Sequence, residues 1–337
     1  MKELPWSRLI AAGTPGRALH AGQALAAAAV SRLTGKPHAG QAPYVLSIEP
    51  TNLCDLHCRH CETGAGLLRR PTGMMDLGLY RRLLKMNRGH LLYLLLYGQG
   101  EPLLHPDFPE MVRLAKSQRI CVASSSNGQR LADPDLARAV AASGLDSLIL
   151  SADALTPEHY AQSRRGGTLE NVRTSLRHLR QARQALGQKN PRLLVQFVIT
   201  RQNEAELPEM TATARSWGAD RVLLKSLYLH DPARAEEFLP ADPHFRRYQQ
   251  QQGRWAARTR RRCPCPRLAY SCVIQWDGNV IPCCFDKDGT HVLGHASAPL
   301  AELFRGPAFT AFRRQQISAK APHICQNCSD GLNLYPA

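Results

Sequence analysis

The sequence predicts an α/β fold: a partial (β/α)6 barrel of the TIM-like kind, followed by a small cysteine-rich C-terminal module. Three observations carry this. Apolar segments of strand length alternate with helical segments through residues 43–230. Those strands are apolar on both faces, as strands of a helix-covered parallel sheet are. Cysteines then crowd the stretch from Cys263 to Cys328.

Residues 1–42 read as a helix plus linker, ending in the breaker-rich "TGKPHAGQAP". "YVLSIEP" is the first strand and leads into a cysteine loop. "MMDLGLYRRLLKMN" has helical spacing, and "LLYLLLY" is a buried strand before the turn "GQGEP". "FPEMVRLAKSQ" is helix, "ICVASSS" strand, and "DPDLARAVAASG" a helix with Asp133 as N-cap. "LDSLILSAD" is strand, and "TLENVRTSLRHLRQARQAL" a long helix. "RLLVQFVIT" is strand, "EAELPEMTATARSWG" helix, and "DRVLLKSLYL" the sixth strand. Right-handed crossovers curl such a series toward a barrel, whose chemistry lies at the carboxyl ends of its strands. Residues 231–262 read as a polar connector with helical content, and a second module occupies 263–337.

The chain of 337 residues carries 43 Lys+Arg against 27 Asp+Glu, a formal charge of +16. That balance favours anionic partners, although an arginine-rich proteome produces it without one. The basic residues are dispersed and aromatics are only 6% of the chain, so a nucleic-acid face with stacking platforms is not expected. The longest small-apolar run, "AGQALAAAAV", is too short to span a membrane and lacks the pattern of a secretory signal. An Ala-rich, Arg-bearing N-terminal helix could mimic a transit peptide; a helix packed on the main domain is preferred. Eleven cysteines, an odd number in clusters, argue for metal or cluster ligation in a reducing cytoplasm rather than for disulfides.

In "IEPTNLCDLHCRHCETG", Cys54, Cys58 and Cys61 are spaced C-x3-C-x2-C. Thiolates suit zinc or iron–sulfur clusters, and structural zinc needs four protein ligands. Cys121, the nearest further cysteine, lies inside an apolar strand, and His57 or His60 would make a very tight zinc loop. Three thiolates on a four-iron cluster leave one iron open to another ligand.

Placed directly after the first strand, the C-x3-C-x2-C motif resembles the radical S-adenosylmethionine (radical SAM) superfamily, over about residues 43–335. The resemblance implies that Cys54, Cys58 and Cys61 hold a [4Fe–4S] cluster whose open iron is chelated by S-adenosylmethionine. Reductive cleavage then gives a 5′-deoxyadenosyl radical that abstracts hydrogen from substrate. By the same resemblance, Gly100-Glu101-Pro102 ends the turn that receives the methionine ammonium, with Gln99 where a glycine is usual. Ser126-Asn127-Gly128 lines the cofactor cavity, and Ser151 and Asp153 end strand four, Ser151 as a ribose contact. Arg164 meets the cofactor carboxylate, with Arg165 as its substitute, and His60 sits near adenine. The bland alternatives are a capping role for Glu101, an ordinary turn at Asn127-Gly128 and a solvated Arg164.

In the second module "SCVIQWDGNVIPCC" reads as a β-hairpin turning at Asp277-Gly278. The pattern C-x12-G-x4-C from Cys265 to Cys283, closed by Cys325-x2-Cys328, resembles the SPASM/twitch auxiliary-cluster domain. The resemblance implies one auxiliary [4Fe–4S] cluster on Cys265, Cys283, Cys325 and Cys328. Cys263 or Cys284 could replace a neighbour, Cys272 and Cys121 read as packing, and four-cysteine zinc is the competitor.

A fully ligated cluster suits electron transfer. The expected activity is therefore a net oxidation of a small or anionic metabolite, with Arg165, Lys225 and Lys287 as candidate contacts. A flavodoxin- or ferredoxin-type reductase would supply the electron. The alternatives are a peptide maturase of the RiPP type, an RNA-modifying enzyme, or a zinc-binding or electron-transfer protein without S-adenosylmethionine cleavage. The residues before strand one are too few for the leader-binding winged helix that many peptide-modifying members carry.

Overall fold

The expected βα series is present in a computed structural model that describes residues 12–229, 231–258 and 264–328. The strands are β1 Val45–Ile48, β2 Tyr93–Leu95, β3 Cys121–Ser126, β4 Ser147–Ser151, β5 Arg192–Ile199 and β6 Arg221–Ser226. Then come β7 Tyr248–Gln251, β8 Arg254–Ala257, β9 Ser271–Ile274, β10 Asn279–Ile281 and β11 Gly294–His295. Helices follow the first five strands and precede the next, as parallel pairing requires.

The described chain divides into two units. The first holds residues 12–53, 69–123 and 264–328; the second holds 54–68, 124–229 and 231–258.

In the first unit the strand order is β11-β10-β9-β1-β2-β3. β1 pairs in parallel with β2 (Val45 opposite Tyr93), and β2 with β3 (Tyr93 opposite Cys121). The expected hairpin forms as β9 and β10, and Gly278 takes φ +89° at its turn. β9 also pairs in parallel with β1, Cys272 opposite Leu46, so the cysteine-rich region extends the sheet. That pairing buries Cys272 and pushes its thiol pKa up to about 12, which agrees with a packing role. Cys121 is buried as well, in a cluster with Tyr44, Val45, Leu92 and Tyr93. The N-terminal helix Pro15–Thr34 is capped by the Thr14 hydroxyl and brings Ala24 into the same cluster. The helix Leu77–Asn87 starts on the Asp76 carboxylate and buries Leu79, Tyr80, Leu83 and Leu84 on one face.

In the second unit β4, β5 and β6 run parallel, with Ser147 opposite Arg192 and Leu194 opposite Arg221. Asp133 caps the helix Pro134–Ala142, as its sequence position predicts. The long helix Leu169–Ala185 buries Leu169, Val172, Leu176 and Leu179 at helical spacing.

The connector departs from expectation. Besides the short helix Ala235–Phe238 it contains an antiparallel hairpin, β7–β8, with Tyr248 opposite Ala257. Gln252 and Gly253 turn it with positive φ of 49° and 74°, the geometry two-residue hairpin turns prefer. Its anchor is Tyr248, buried among Leu227, Leu229, Ala235, Phe238 and Leu239. The Tyr248 hydroxyl accepts from the Leu229 N–H (2.7 Å) and donates to the Leu229 carbonyl (2.8 Å). Glutamine-rich polarity hid this strand pair, because one buried aromatic rather than an apolar period holds it.

Candidate active site

The first unit supplies the turn after β2. Gly98 approaches Glu49 so closely that a Cβ there would lie 2.8 Å from Glu49 Oε2. The Gln99 N–H donates to that same carboxylate oxygen at 2.9 Å. Gly100 has φ +76°, and a Cβ would lie 2.4 Å from the Leu53 carbonyl oxygen, so only glycine fits. The Glu101 N–H donates to that carbonyl at 2.7 Å, one residue before Cys54. Glu101 is buried, and its Oε1 accepts from the Leu103 N–H at 3.1 Å to cap the turn Pro102–Leu104. The capping role considered for Glu101 is therefore present. Glu49 in turn is buried and paired with Arg70 (2.6 Å). This pair lay outside the sequence reading; the one signal for it was an acid ending an apolar strand.

The second unit supplies the cysteine loop and the ends of β3 and β4. Cys58 is buried, whereas Cys54 and Cys61 are half-buried. The Cys61 N–H donates to the Cys58 carbonyl at 3.2 Å. A Cβ on Gly64 would lie 2.5 Å from the Cys58 nitrogen, so the loop closes tightly around that residue. Two hydrogen bonds tether it. Asn127 Nδ2 donates to Asp55 Oδ1 at 2.6 Å, while its Oδ1 accepts from the Gln129 N–H. The His57 N–H donates to the Arg165 carbonyl at 2.8 Å. Gly166 and Gly167 bring that segment close: Cβ atoms there would lie 3.3 Å from the Asp55 carbonyl oxygen and 2.9 Å from Leu56 Cδ2.

Arg164 is not a solvated helix residue. Its Nε and Nη2 reach Asp153 Oδ2 at 2.8 and 2.7 Å, with side chains 12% and 2% exposed. Asp153 follows β4 with φ +57°, its Oδ1 accepting from the Val198 N–H and its carbonyl from Asn203 Nδ2. Burial lowers the Arg164 pKa, but Asp153 first and then Cys58 and Tyr160 raise it to a net increase. Burial pushes the Cys58 thiol up to about 11; Arg164 opposes this, and Cys61 and Asp153 add to it. Cys58, Cys61, Asp153, Arg164 and Tyr160 thus form one electrostatic neighbourhood. Ser126 accepts the Gly128 N–H at 2.9 Å, and Ser151 is buried at the end of β4 opposite Gln196. The His60 ring meets Phe238 edge-on at 6.2 Å. Tyr160, Asp55 and Gln129 are further members that sequence reasoning missed, since only the fold brings them to the loop.

The auxiliary cysteines lie in the first unit. Burial first, then the charges of Cys284, Cys325 and Cys265, raises the Cys283 thiol well above its usual pKa, against a hydrogen bond from the Phe285 backbone. Three of the four expected ligands are thereby neighbours. The Cys328 N–H donates to the Cys325 carbonyl at 3.4 Å, following the short helix His323–Gln326. The Cys265 N–H donates to the buried Gln316 at 3.1 Å. Cys284 is exposed, with Arg267 Nη1 3.9 Å from its sulfur. Cys263 lies outside the described residues.

Both cysteine groups fit iron–sulfur ligation. A thiol buried as Cys58 is ionises only against nearby positive charge, which a cluster's irons provide. Among the described residues, no three His, Cys, Asp or Glu side chains gather tightly enough for a single metal ion. Cluster thiolates bind separate irons.

Fold and thiol loop together define an iron–sulfur enzyme of the parallel α/β kind. Comparison with known families specifies it: residues 48–212 match the Radical SAM superfamily and residues 263–329 the SPASM iron–sulfur cluster-binding domain. The chain belongs to the radical SAM superfamily and carries a SPASM domain; its cofactors are [4Fe–4S] clusters and S-adenosylmethionine. A tungsten-containing aldehyde ferredoxin oxidoreductase cofactor-modifying protein of Pyrococcus furiosus is 26% identical over 71% of this chain and 70% of its own. Mycofactocin maturase MftC of Mycobacterium tuberculosis is 32% identical over 53% of this chain, which spans only 43% of that relative. PqqA peptide cyclase of Xanthomonas campestris is 26% identical over 85% of this chain and 79% of its own. Among solved structures, SuiB of Streptococcus suis bound to S-adenosylmethionine superposes with TM-score 0.62 at 16% identity, covering 88% of this chain and 74% of that one. Among the described residues no helix is long and apolar enough to cross a membrane.

When bound, the cluster and S-adenosylmethionine supply the electron and the hydrogen-abstracting agent. The chain's own part is positional. Asp55, the Arg165 carbonyl and the two glycines fix the loop, and Asp153 keeps Arg164 beside Cys58.

Proposed function

We propose that this chain is a peptide maturase, which uses its radical chemistry to modify side chains of a ribosomally made peptide. One observation carries this: the match to a protein named PqqA peptide cyclase runs over 85% of this chain and 79% of that relative. A second PqqA peptide cyclase, of Gluconobacter oxydans, is 31% identical over 53% of this chain and 48% of its own. SuiB, which shares the fold, has been solved bound to the precursor peptide SuiA. Small-metabolite oxidation, the first expectation from sequence, has less support from these relatives: the Pyrococcus furiosus protein is named for modifying a cofactor.

In this reading Cys54, Cys58 and Cys61 hold the cluster that binds S-adenosylmethionine. The Gly100-Glu101-Pro102 turn, Ser126, Asn127, Ser151 and His60 border that cofactor. Asp153 and Arg164 form the buried pair beside it. Cys265, Cys283, Cys325 and Cys328 hold one auxiliary [4Fe–4S] cluster, which accepts the electron that a net oxidation releases. A flavodoxin- or ferredoxin-type protein donates the initiating electron.

The test is anaerobic turnover of the reconstituted chain with dithionite, S-adenosylmethionine and a short peptide encoded beside its gene. Formation of 5′-deoxyadenosine together with a peptide product that has lost hydrogen supports the reading. Cofactor cleavage with the peptide unchanged, and with hydrogen taken instead from a small metabolite, overturns it.

A further inference from the structure

A cavity of about 480 Å³ lies in the first unit, and none of the cysteines lines it. Its wall is the segment Lys36–Gln41 on one side and Arg305, Thr310, Arg313 and Arg314 on the other. Among the described residues no carboxylate lines it. Lys36, His38, Arg305 and Arg314 are exposed and form a cationic rim.

Arg313 is different: it is 5% exposed. Its Nε donates to the Leu268 carbonyl at 2.9 Å and its Nη1 to the Phe304 carbonyl at 2.6 Å. The guanidinium stacks over the Phe304 and Phe309 rings at 4.4 and 5.1 Å. Its Nη2 is buried without a hydrogen-bond partner among the described residues. Burial lowers its pKa to about 10, so it remains a cation at neutral pH. Burying a cation is costly unless it is paired, so an anion that reached Nη2 would offset part of that cost. The rim has the same shortage: among the described residues Arg305 reaches only the Ala301 carbonyl and Gln41 Oε1 (3.0 Å).

We propose that this cavity is a docking site for an acidic segment of the peptide substrate, whose carboxylates pair with the Lys36, Arg305 and Arg314 rim and with Arg313 at the floor. The inference rests on the peptide reading above and names how that peptide is recognised. Three features favour a peptide over other anions. The volume exceeds that of one phosphate group, so several carboxylates and their backbone fit. The cavity is partly open to solvent, so a chain can enter and leave. Among the described residues its lining holds no Phe, Tyr or Trp on which a nucleobase could stack. Arginine forks match carboxylates in a bidentate manner.

The test uses the reconstituted full chain and fluorescein-labelled hexaglutamate, with a Gly-Ser hexamer as neutral control and inorganic phosphate as competitor. Hexaglutamate is expected to bind and the neutral hexamer not. Arg305→Ala with Arg314→Ala is expected to weaken binding about tenfold or more, as two lost ion pairs imply, and added salt to weaken the wild type. Substrate-free cleavage of S-adenosylmethionine should be unchanged in that variant. Arg313→Gln probes the floor, and the rim variant decides the matter if it fails to fold. Equal binding by wild type and rim variant, no binding by wild type at low salt, or phosphate binding without hexaglutamate binding each overturns the proposal. If peptide turnover proceeds with the same KM in the rim variant, docking fails while the peptide reading stands. If hexaglutamate binds as expected but no peptide is modified, it is the maturase reading that fails, and with it the substrate assigned to this site.

Discussion

Replacing Asp153 by Asn tests the electrostatic frame around Cys58. Asp153 sits at φ +57°, where Asn is tolerated and Ala is strained, so Asn leaves the backbone nearly undisturbed. Its amide oxygen still accepts from the Val198 N–H, which Oδ1 now serves at 2.7 Å. What changes is the charge facing Arg164, held now by contacts of 2.8 and 2.7 Å. Breaking a buried ion pair by removing one partner costs about 3–5 kcal/mol, because the other charge stays buried. Arg164 retains 12% exposure, which places the expected loss near the lower end, about 3 kcal/mol. Asp153→Asn combined with Arg164→Met removes both charges and should recover about 2 kcal/mol of that loss. Equilibrium urea unfolding of wild type, both single variants and the double variant, followed by far-UV circular dichroism, measures the cycle. A single-variant loss below about 1 kcal/mol, or a coupling indistinguishable from zero, would refute a buried, mutually dependent pair.

Three further outcomes follow from the same geometry. Gly100→Ala combines a positive φ with a Cβ 2.4 Å from the Leu53 carbonyl oxygen. It should cost about 2–4 kcal/mol by thermal or urea unfolding and lower the affinity for S-adenosylmethionine; unchanged stability would contradict the close approach. Asn127→Ala removes the 2.6 Å bond to Asp55 and should destabilise by about 1–2 kcal/mol, with faster loss of iron on gel filtration. Reconstituted wild type should hold about eight irons, from two four-iron clusters; Cys283→Ser should hold about four and Cys284→Ser the wild-type amount. An equal loss in both cysteine variants would reassign the ligand.

The strands, most helices and the positions of the motifs after strands were legible because periodicity and turn chemistry are local. Asp133 caps the helix it precedes, as its position predicts, and Asp277-Gly278 turns the hairpin it separates. The three-cysteine spacing is a property of one short loop, so it points to cluster chemistry without any fold. The hairpin at Tyr248 was not legible, since its stability comes from one aromatic side chain buried by residues before and after it.

The sequence by itself determined the cysteine pattern, the βα order and hence the superfamily, because each is written in contiguous residues. Tertiary structure alone decided what surrounds those residues. Arg164 binds Asp153 across the helix Pro157–Ser163, Asn127 holds Asp55 from the turn after β3, and Glu49 receives both Arg70 and the Gln99 N–H. It also leaves Arg313 buried beside a cavity that no acid among the described residues lines. Such pairings depend on which distant residues are dehydrated together, and the free energy of a charge is set by that shared environment rather than by its neighbours along the chain.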